Sequence, residues 1–436
     1  MKRKIAVTYK ISLPVLALCL VQVFAFGQNS LPEPGKPVSV LISGATIHVG
    51  NGTVIENGKI GFKAGKITEV GTSVTDASVY DFQINASGKH IYPGFILPNT
   101  ILGLTEVDAV RATRDFNETG EMNPSARSLV GYNTDSKIIP TIRSNGVLYC
   151  QPSPRGGLIS GTSSVMMLDG WNWEDAALKR DDGIWLNWPA ELLRTGWWGE
   201  PGEDEPNKKR KEDLEKIKHI LQRAKAAEEG TDDLNLAALK PLFTGKKNLY
   251  INVSRAKEIR ESVLFFKELG VKNIVISGGE ESHLVADFLK VENVPVLLER
   301  LHSLPFKSDD AYDLPYELPK KLKDAGVLYA LSYSGNMEAM GSRNLPFLAG
   351  TSVCFGLTKE EALMSITLNT AKILGIDDRC GSLEPGKDAS LFISTGDALD
   401  VISNQVEMAF IQGRLIRLSN HQTELYERYK AKYGLK

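Results

Sequence analysis

Two kinds of hydrophobic pattern divide the chain. Residues 37–90 contain short apolar runs that alternate with polar positions and are broken by Asn-Gly and Ala-Gly-Lys turns, a pattern typical of short strands. From residue 91, apolar runs of strand length alternate with amphipathic stretches of helical length. This order predicts a parallel sheet covered by helices. After residue 380 the pattern returns to strands.

The middle region contains about eight strand-length apolar runs, the number that a TIM-type (β/α)8 barrel needs. They lie near 91–97, 147–151, 163–168, 183–188, 249–253, 273–277, 295–299 and 327–332. We therefore predict an α/β fold, with a barrel at 91–380. The strand-rich ends, 37–90 and 381–417, are expected to pair into one small composite β-sandwich, followed by a C-terminal helix at 418–436.

The first 27 residues predict a signal peptide. A basic start is followed by an apolar stretch from Ile11 to Phe26, and the small residues Ala25 and Gly27 mark a cleavage site. We expect an exported chain, periplasmic or extracellular after cleavage near Gly27, with no membrane attachment afterwards. An uncleaved N-terminal anchor is the alternative.

The overall composition excludes some partners. The 436 residues are 42% hydrophobic and 24% charged, and the formal net charge of -2 gives no field that would attract nucleic acid. Cys150, Cys354 and Cys380 lie in apolar or glycine-rich contexts and are interpreted as core residues. One disulfide among the three stays open.

Three separated segments carry a resemblance to a known family. They are "GKHIYPGFI" at 88–96, "LTKEEALMSITLNTAKILGI" at 357–376 and "GSLEPGKDASLFI" at 381–393. The layout resembles the amidohydrolase superfamily, in particular its imidazolonepropionase-like branch. The resemblance implies hydrolysis of C–N bonds other than peptide bonds. It also implies zinc or another divalent metal at the C-terminal mouth of the barrel.

The positions that the resemblance assigns to metal ligands all carry other residues. The usual His-x-His after the first strand is replaced at Asn99 and Ile101, and the usual histidines after strands five and six are replaced by Ser254 and Gly278. Ser334 stands where strand eight normally ends in aspartate. With no imidazole, thiolate or carboxylate at these points, we expect no metal cofactor. We also predict that these strand-end positions converge in one pocket.

Other side chains near the predicted strand ends could line the mouth. These candidates are Glu106, Asp108, Arg155, Trp171, Trp173, Trp188, His283 and His302. The tryptophans offer flat binding surfaces, or else belong to a flap that packs on its own aromatic rings. The acidic residues could be general bases or part of a solvated helix.

The remaining candidates are equally ambiguous. Arg155, with Gly156 and Gly157, could hold an anion or simply form a glycine turn. His283 and His302 could face the mouth or pack elsewhere. A serine nucleophile assisted by His283 has no elbow motif behind it.

Three hypotheses about function therefore remain. The chain is a catalytically degenerate homologue that binds a small molecule or pairs with an active relative, a hydrolase with a metal-free or atypical site, or a structural subunit. Assembly as a homo-oligomer is also open.

Overall fold

A computed structural model describes residues 36–74, 76–197, 200–335 and 337–435. The predicted signal peptide at 1–27 lies outside these residues. Within the described ranges, no helix combines the length and apolar character needed to cross a membrane.

The described strands, numbered in chain order, are β1 (Val40–His48), β2 (Val54–Lys63), β3 (Lys66–Gly71), β4 (Phe82–Asn85), β5 (His90–Pro93), β6 (Phe95–Thr100), β7 (Val147–Pro152), β8 (Ile159–Met167), β9 (Ala177–Asn187), β10 (Leu192–Trp197), β11 (Glu200–Pro206), β12 (Asn248–Val253), β13 (Asn273–Gly278), β14 (Val296–Leu298), β15 (Tyr329–Leu331), β16 (Leu391–Ser394), β17 (Val406–Ile411) and β18 (Arg414–Leu415).

The described α-helices are α1 (Ser128–Gly131), α2 (Ile139–Arg143), α3 (Trp173–Ala176), α4 (Arg210–Ala226), α5 (Leu234–Leu239), α6 (Pro241–Thr244), α7 (Ala256–Leu269), α8 (Ala286–Glu292), α9 (Leu314–Ala325), α10 (Glu338–Gly341), α11 (Leu345–Cys354), α12 (Lys359–Met364), α13 (Leu368–Leu374) and α14 (His421–Lys432). Short 3-10 helices cover Ala77–Val79, Arg111–Thr113, Ser282–Val285 and Ser342–Asn344.

One sheet combines strands from both ends of the described chain. Its order is β18-β17-β16-β5-β1-β2-β3, and β4 pairs with β1. Two contacts show that the sheet folds back on itself. Ala389 N donates to Gly65 O at 2.8 Å, and the rings of Phe62 and Phe410 pack edge to face with their centroids 5.0 Å apart. The expected sandwich is therefore a single folded sheet that encloses its own hydrophobic core.

A second sheet forms a nearly closed TIM-type α/β barrel. Its order is β15-β14-β13-β12-β9-β8-β7-β6, so a strand occurs near each of the eight predicted positions. The main chain at residues 365–366 bridges the gap between the end strands. Leu331 N donates to Ser365 O at 3.0 Å, and Ile96 N donates to Ile366 O at 2.9 Å.

The prediction of an all-parallel barrel is wrong at the third strand. β8 runs antiparallel to both β7 and β9, whereas β6 with β7 and β9 with β12 pair in parallel. The physical reason is that the connections before and after β8, at residues 153–158 and 168–176, are both short, since a parallel crossover needs a dozen or more residues. The C-terminal end of β8 therefore lies at the opposite end of the barrel from the other strand ends.

The first barrel strand begins later than predicted. The run at 91–97 is divided by Gly94 into β5, which belongs to the folded sheet, and β6, which opens the barrel. A Cβ atom at Gly94 would lie 2.8 Å from Cδ1 of Leu148, so a glycine allows the chain to pass close to the barrel wall.

The cysteine interpretation holds for two of three residues. Cys150 and Cys380 are buried, but Cys354 is exposed, and all three are free thiols. Cys354 is the last residue of α11, on the outer layer of helices.

Candidate functional site at the barrel mouth

The structure brings the substituted strand-end positions together at one end of the barrel. Asn99 Nδ2 donates to Ser277 Oγ at 3.0 Å, which links the end of β6 to the end of β13. A Cβ atom at Gly278 would lie 3.4 Å from Ser254 Oγ, so these two residues are neighbours. Gly278 and Ser334 line the same cavity of about 440 Å³.

The local backbone explains two of these residue types. Asn99 has a φ of 50°, in the left-handed region that asparagine tolerates better than most residues. Gly278 has a φ of 95°, where a residue with a side chain would be strained. A Cβ atom there would also lie 3.3 Å from Glu280 Oε2. The carboxylate of Glu280 therefore lies close to the place where a side chain at position 278 would start.

These side chains do not fit the divalent metal that the family resemblance implies. Ile101 is apolar, Gly278 has no side chain, and the amide nitrogen of Asn99 is engaged with Ser277. Ser334 Oγ lies 3.1 Å from Ser332 Oγ. Throughout the described part of the chain, no three His, Cys, Asp or Glu side chains are grouped as metal ligands.

Arg155 and Glu338 form an ion pair beside the end of β6. Nη2 of Arg155 donates to Glu338 Oε1 at 2.9 Å and to the carbonyl oxygen of Asn99 at 3.3 Å. The other contacts of the Glu338 carboxylate are the main-chain N–H groups of Gly335 and Ile101. Burial raises the pKa of Glu338 although the guanidinium opposes this change. Arg155, predicted as a possible mouth-lining residue, thus lies beside the end of β6, where it contacts Asn99 and Glu338.

Glu299 is a titratable group shared by the two cavities at the mouth. It lines the 440 Å³ cavity and an adjoining cavity of about 700 Å³, where its side chain is accessible. The surrounding protein partly desolvates the carboxylate, and the nearby Glu280 carboxylate repels it. Desolvation and this repulsion, in that order, raise the pKa of Glu299 to about 7.

The hairpin of β10 and β11 covers part of the second cavity. Arg194 and Asp204 of this hairpin line the cavity, and Asp204 accepts a hydrogen bond from Arg255 at 2.8 Å. Trp188 also lines it, but its side chain is 5% exposed and packs edge to face on the ring of Phe265. Trp188 is thus located at the mouth, mainly as part of the packed wall.

A buried polar network lies inside the barrel, close to Asn99. Asp182 accepts hydrogen bonds from Gln151 Nε2 at 2.8 Å, Tyr250 Oη at 2.7 Å and Ser163 Oγ at 2.8 Å. Gln151 Oε1 in turn accepts the main-chain N–H of Asn99 at 3.1 Å. Burial raises the pKa of Asp182. Through the hydrogen bond from Asn99 N–H to Gln151, this network holds the end of β6 in place.

The prediction that Trp171 and Trp173 line the mouth is wrong. Both follow the C-terminal end of β8, where Met167 pairs with Tyr149 near the start of β7. Because β8 is antiparallel, this end lies away from the mouth. The carbonyl of Trp171 accepts a hydrogen bond from Thr134, and the ring of Trp173 stacks beneath Arg180.

His302 also points away from the mouth. Its Nε2 lies 2.7 Å from Thr351 Oγ1 on α11, and together they line a different cavity, on the outside of the barrel. His283 lies on a 3-10 helix, half-buried, where burial lowers its pKa. In the described ranges it shares no hydrogen bond with Ser254 or Ser334, so no nucleophile–base pair forms.

The acidic candidates after β6 hold a loop together. Glu106 accepts hydrogen bonds from Asn133 Nδ2 and from the main-chain N–H of Lys137, both at 3.3 Å. Asp108 accepts from Thr105 Oγ1 at 3.4 Å. Neither residue lines the two mouth cavities. Their predicted role at the mouth is therefore not supported by the geometry.

Sequence reasoning missed three carboxylates that the structure places in or beside the mouth: Glu280, Glu299 and Glu338. A signal was present for Glu299, because the charged pair Glu299-Arg300 directly follows the apolar run "VPVLL". Charged residues that directly follow a buried parallel strand are expected at the mouth of a barrel.

Comparison with known proteins finds similarity to one protein family. A model of the Amidohydrolase family matches residues 309–416. The imidazolonepropionase of Flavobacterium psychrophilum is 32% identical over 110 residues, which span 24% of this chain but only 27% of that enzyme. The imidazolonepropionase of Streptococcus pyogenes is 23% identical over 423 residues, which cover 88% of this chain and 94% of that enzyme.

The fold is shared with a solved structure. The amidohydrolase from Thermotoga maritima superimposes with a TM-score of 0.75 at 24% identity, covering 87% of this chain and 99% of that protein. The barrel, the family model over residues 309–416 and the similarity to imidazolonepropionases together support a place for the chain in the amidohydrolase superfamily, among imidazolonepropionase-like proteins.

Proposed function

We propose that the barrel mouth binds a small amide-bearing molecule without the metal-dependent hydrolysis of non-peptide C–N bonds that its superfamily implies. One observation carries this proposal. The strand-end positions converge, but they offer Asn99, Gly278 and Ser334 in place of imidazoles and a carboxylate. In the superfamily, the metal would lower the pKa of an attacking water, and this donor set is unsuited to hold one.

The shape and lining of the mouth support a binding role. Two adjoining cavities of about 440 and 700 Å³ have the size of small-molecule sites. The smaller one combines an apolar wall with a few convergent polar groups, the pattern that fixes the orientation of a ligand. The polar groups include Glu280, Glu299 and Arg300.

A second candidate function is favoured by Glu299 alone. A carboxyl group with a pKa of about 7, accessible in a cavity, is suited to general acid–base catalysis near neutral pH. Glu299 would take a proton from a water that adds to the amide carbonyl carbon. It would then give this proton to the nitrogen as the C–N bond breaks.

Export and assembly remain part of the proposal. The signal peptide proposed at residues 1–27 implies that the ligand is met outside the cytoplasm. Pairing with an active homologue, or with a second copy, is compatible with a binding role.

The test exposes the purified chain to cyclic amides and ureas, such as 2-pyrrolidinone, glutarimide and hydantoin. Binding is followed by saturation-transfer NMR and hydrolysis by chromatography. Binding without hydrolysis supports the first candidate. Hydrolysis that survives EDTA and is lost in Glu299→Gln, but not in the exposed control Glu427→Gln, supports the second. Neither binding nor hydrolysis, or hydrolysis that EDTA abolishes and zinc restores, contradicts both.

A further inference from the structure

Charged side chains without partners meet in the smaller mouth cavity. Glu280, Glu299 and Arg194 all line the cavity of about 440 Å³. In the described part of the chain, Glu280 Oε2 is buried without a hydrogen-bond partner. No hydrogen bond or ion pair of the Glu299 carboxylate or the Arg194 guanidinium is found there either. These three groups are therefore available to a ligand.

Three other charged side chains of the mouth are already engaged. Arg255 pairs with Asp204 at 2.8 Å, and Lys307 pairs with Glu281. The guanidinium of Arg300 lies 5.6 Å from the centroid of the Tyr333 ring. A ligand that used any of these side chains would have to displace an existing contact, whereas Glu280, Glu299 and Arg194 require no such exchange.

The two carboxylates favour a positive group between them. The Glu280 carboxylate repels that of Glu299, and an ammonium group between them would relieve this repulsion. Asn99, at the neighbouring end of β6, carries a further acceptor without a partner. Its side chain is 3% exposed, its Nδ2 donates to Ser277, and its Oδ1 has no partner in the described part of the chain.

Arg194 supplies the complementary charge. It projects from the hairpin strand β10, is exposed, and lines both mouth cavities, as Glu299 does. A guanidinium recognises carboxylates by charge-assisted hydrogen bonds. The wall between these charges is apolar and is formed by Leu298, Leu301, Leu304, Phe306 and Leu318.

We propose that the mouth takes a small zwitterion with an apolar side chain, such as an amino acid or its amide-bearing derivative. Its ammonium group binds Glu280 and Glu299, its carboxylate binds Arg194, and its side chain contacts the apolar wall. This inference rests on the proposed binding function of the same site and specifies the chemical class of the ligand.

The test compares three probes that share the leucine side chain but carry different charges. L-leucine carries both charges, L-leucinamide only the cation, and N-acetyl-L-leucine only the anion. Titration calorimetry measures their affinities for the native chain, Glu299→Gln, Arg194→Gln and the exposed control Glu427→Gln. Because hydrogen bonds to charged groups are stronger than those between neutral groups, each relevant loss should weaken binding by about tenfold or more.

Each substitution is expected to weaken only the probes that carry the charge it recognises. Glu299→Gln weakens L-leucine and L-leucinamide, Arg194→Gln weakens L-leucine and N-acetyl-L-leucine, and Glu427→Gln changes none of the three. Thermal melting checks that each variant is folded. No binding of L-leucine at millimolar concentration, or equal affinities of all three probes for all four proteins, overturns the inference. If 2-pyrrolidinone still binds the native chain and both cavity variants equally, the proposed function survives while the zwitterion inference fails.

Discussion

Nη2 of Arg155 lies 2.9 Å from Oε1 of Glu338, and the same nitrogen reaches the carbonyl oxygen of Asn99 at 3.3 Å. A permanently charged side chain is thus bonded to a strand end that the family resemblance assigns to a metal ligand. The contacts join the ends of β6 and β7 to the segment after β15. We conclude that an arginine–glutamate pair helps to hold these strand ends together.

Removing one partner of this ion pair should destabilise the folded chain. In Arg155→Met the Glu338 carboxylate stays buried without its partner, and the free energy of unfolding should fall by about 3 kcal/mol. The double change Arg155→Met with Glu338→Leu should cost less than the sum of the two single changes. Urea denaturation measures both effects.

A surface pair provides the matched control. Lys257 and Glu191 are 2.7 Å apart but largely exposed, so Lys257→Met should leave stability close to that of the native chain. If Arg155→Met proved as mild as this control, the bridging role of the pair would be refuted.

The titration of Glu299 should reduce stability as pH rises. Its pKa of about 7 in the folded chain lies above the usual 4.5, so the folded state holds a proton that the unfolded state has released. Stability should therefore fall between about pH 4.5 and 7, and Glu299→Gln should flatten this dependence. Denaturation at several pH values, with carbon NMR of the carboxyl group, measures it. A Glu299 carboxyl that titrates near its usual pKa would refute this account.

A histidine pair in the folded sheet should respond to pH in the opposite direction. His48 Nε2 lies 3.1 Å from His90 Nδ1, and His48 Nδ1 lies 2.6 Å from Glu360 Oε1 on α12. Burial first, then the neighbouring His48, lowers the pKa of His90, while Asp397 opposes this shift and Lys359 adds to it. Because the folded pKa lies below the unfolded value, stability should be lost as pH falls below about 6.5.

The variant His90→Gln isolates this contribution. It keeps a hydrogen-bonding side chain but cannot titrate, so its melting temperature should decline less than that of the native chain between neutral and mildly acidic pH. Parallel curves for the two proteins would show that His90 does not contribute to acid sensitivity.

Replacing a tryptophan by alanine should have an effect that depends on the end of the barrel at which the tryptophan lies. Trp188 is packed in the wall of the mouth, so Trp188→Ala should cost about 3–5 kcal/mol of stability. Trp173→Ala, at the opposite end, should leave the affinity of any mouth ligand unchanged. Fluorescence-monitored binding and thermal melting distinguish the two variants. A weakened ligand in Trp173→Ala would contradict the described course of β8.

The barrel strands were predictable because each is an apolar run bounded by turn residues. The direction of β8 was not, since an apolar run reads the same in either direction, and only the short connections at 153–158 and 168–176 carried that information. Assuming a parallel β8 placed Trp171 and Trp173 at the wrong end. The predictions made from the sequence were thus wrong where they depended on the direction of a strand, and right where they depended only on its position.

The site was predictable only where the family alignment supplied positions. Asn99, Ser254, Gly278 and Ser334 were expected to meet because the C-terminal ends of parallel strands converge. Glu338 was missed because its contact with Arg155 joins residues 183 positions apart in the sequence. No local pattern encodes such a pairing.

Metal content tests the central claim most directly, because the account holds that the strand ends of this barrel have lost their metal-ligand set. Elemental analysis of the purified chain, dialysed after exposure to zinc, iron, manganese and nickel salts, should find each of these metals far below one ion per chain. The account would be contradicted if the native chain kept close to one ion of zinc or iron after dialysis and a variant that carries both Glu280→Gln and Glu299→Gln lost that ion.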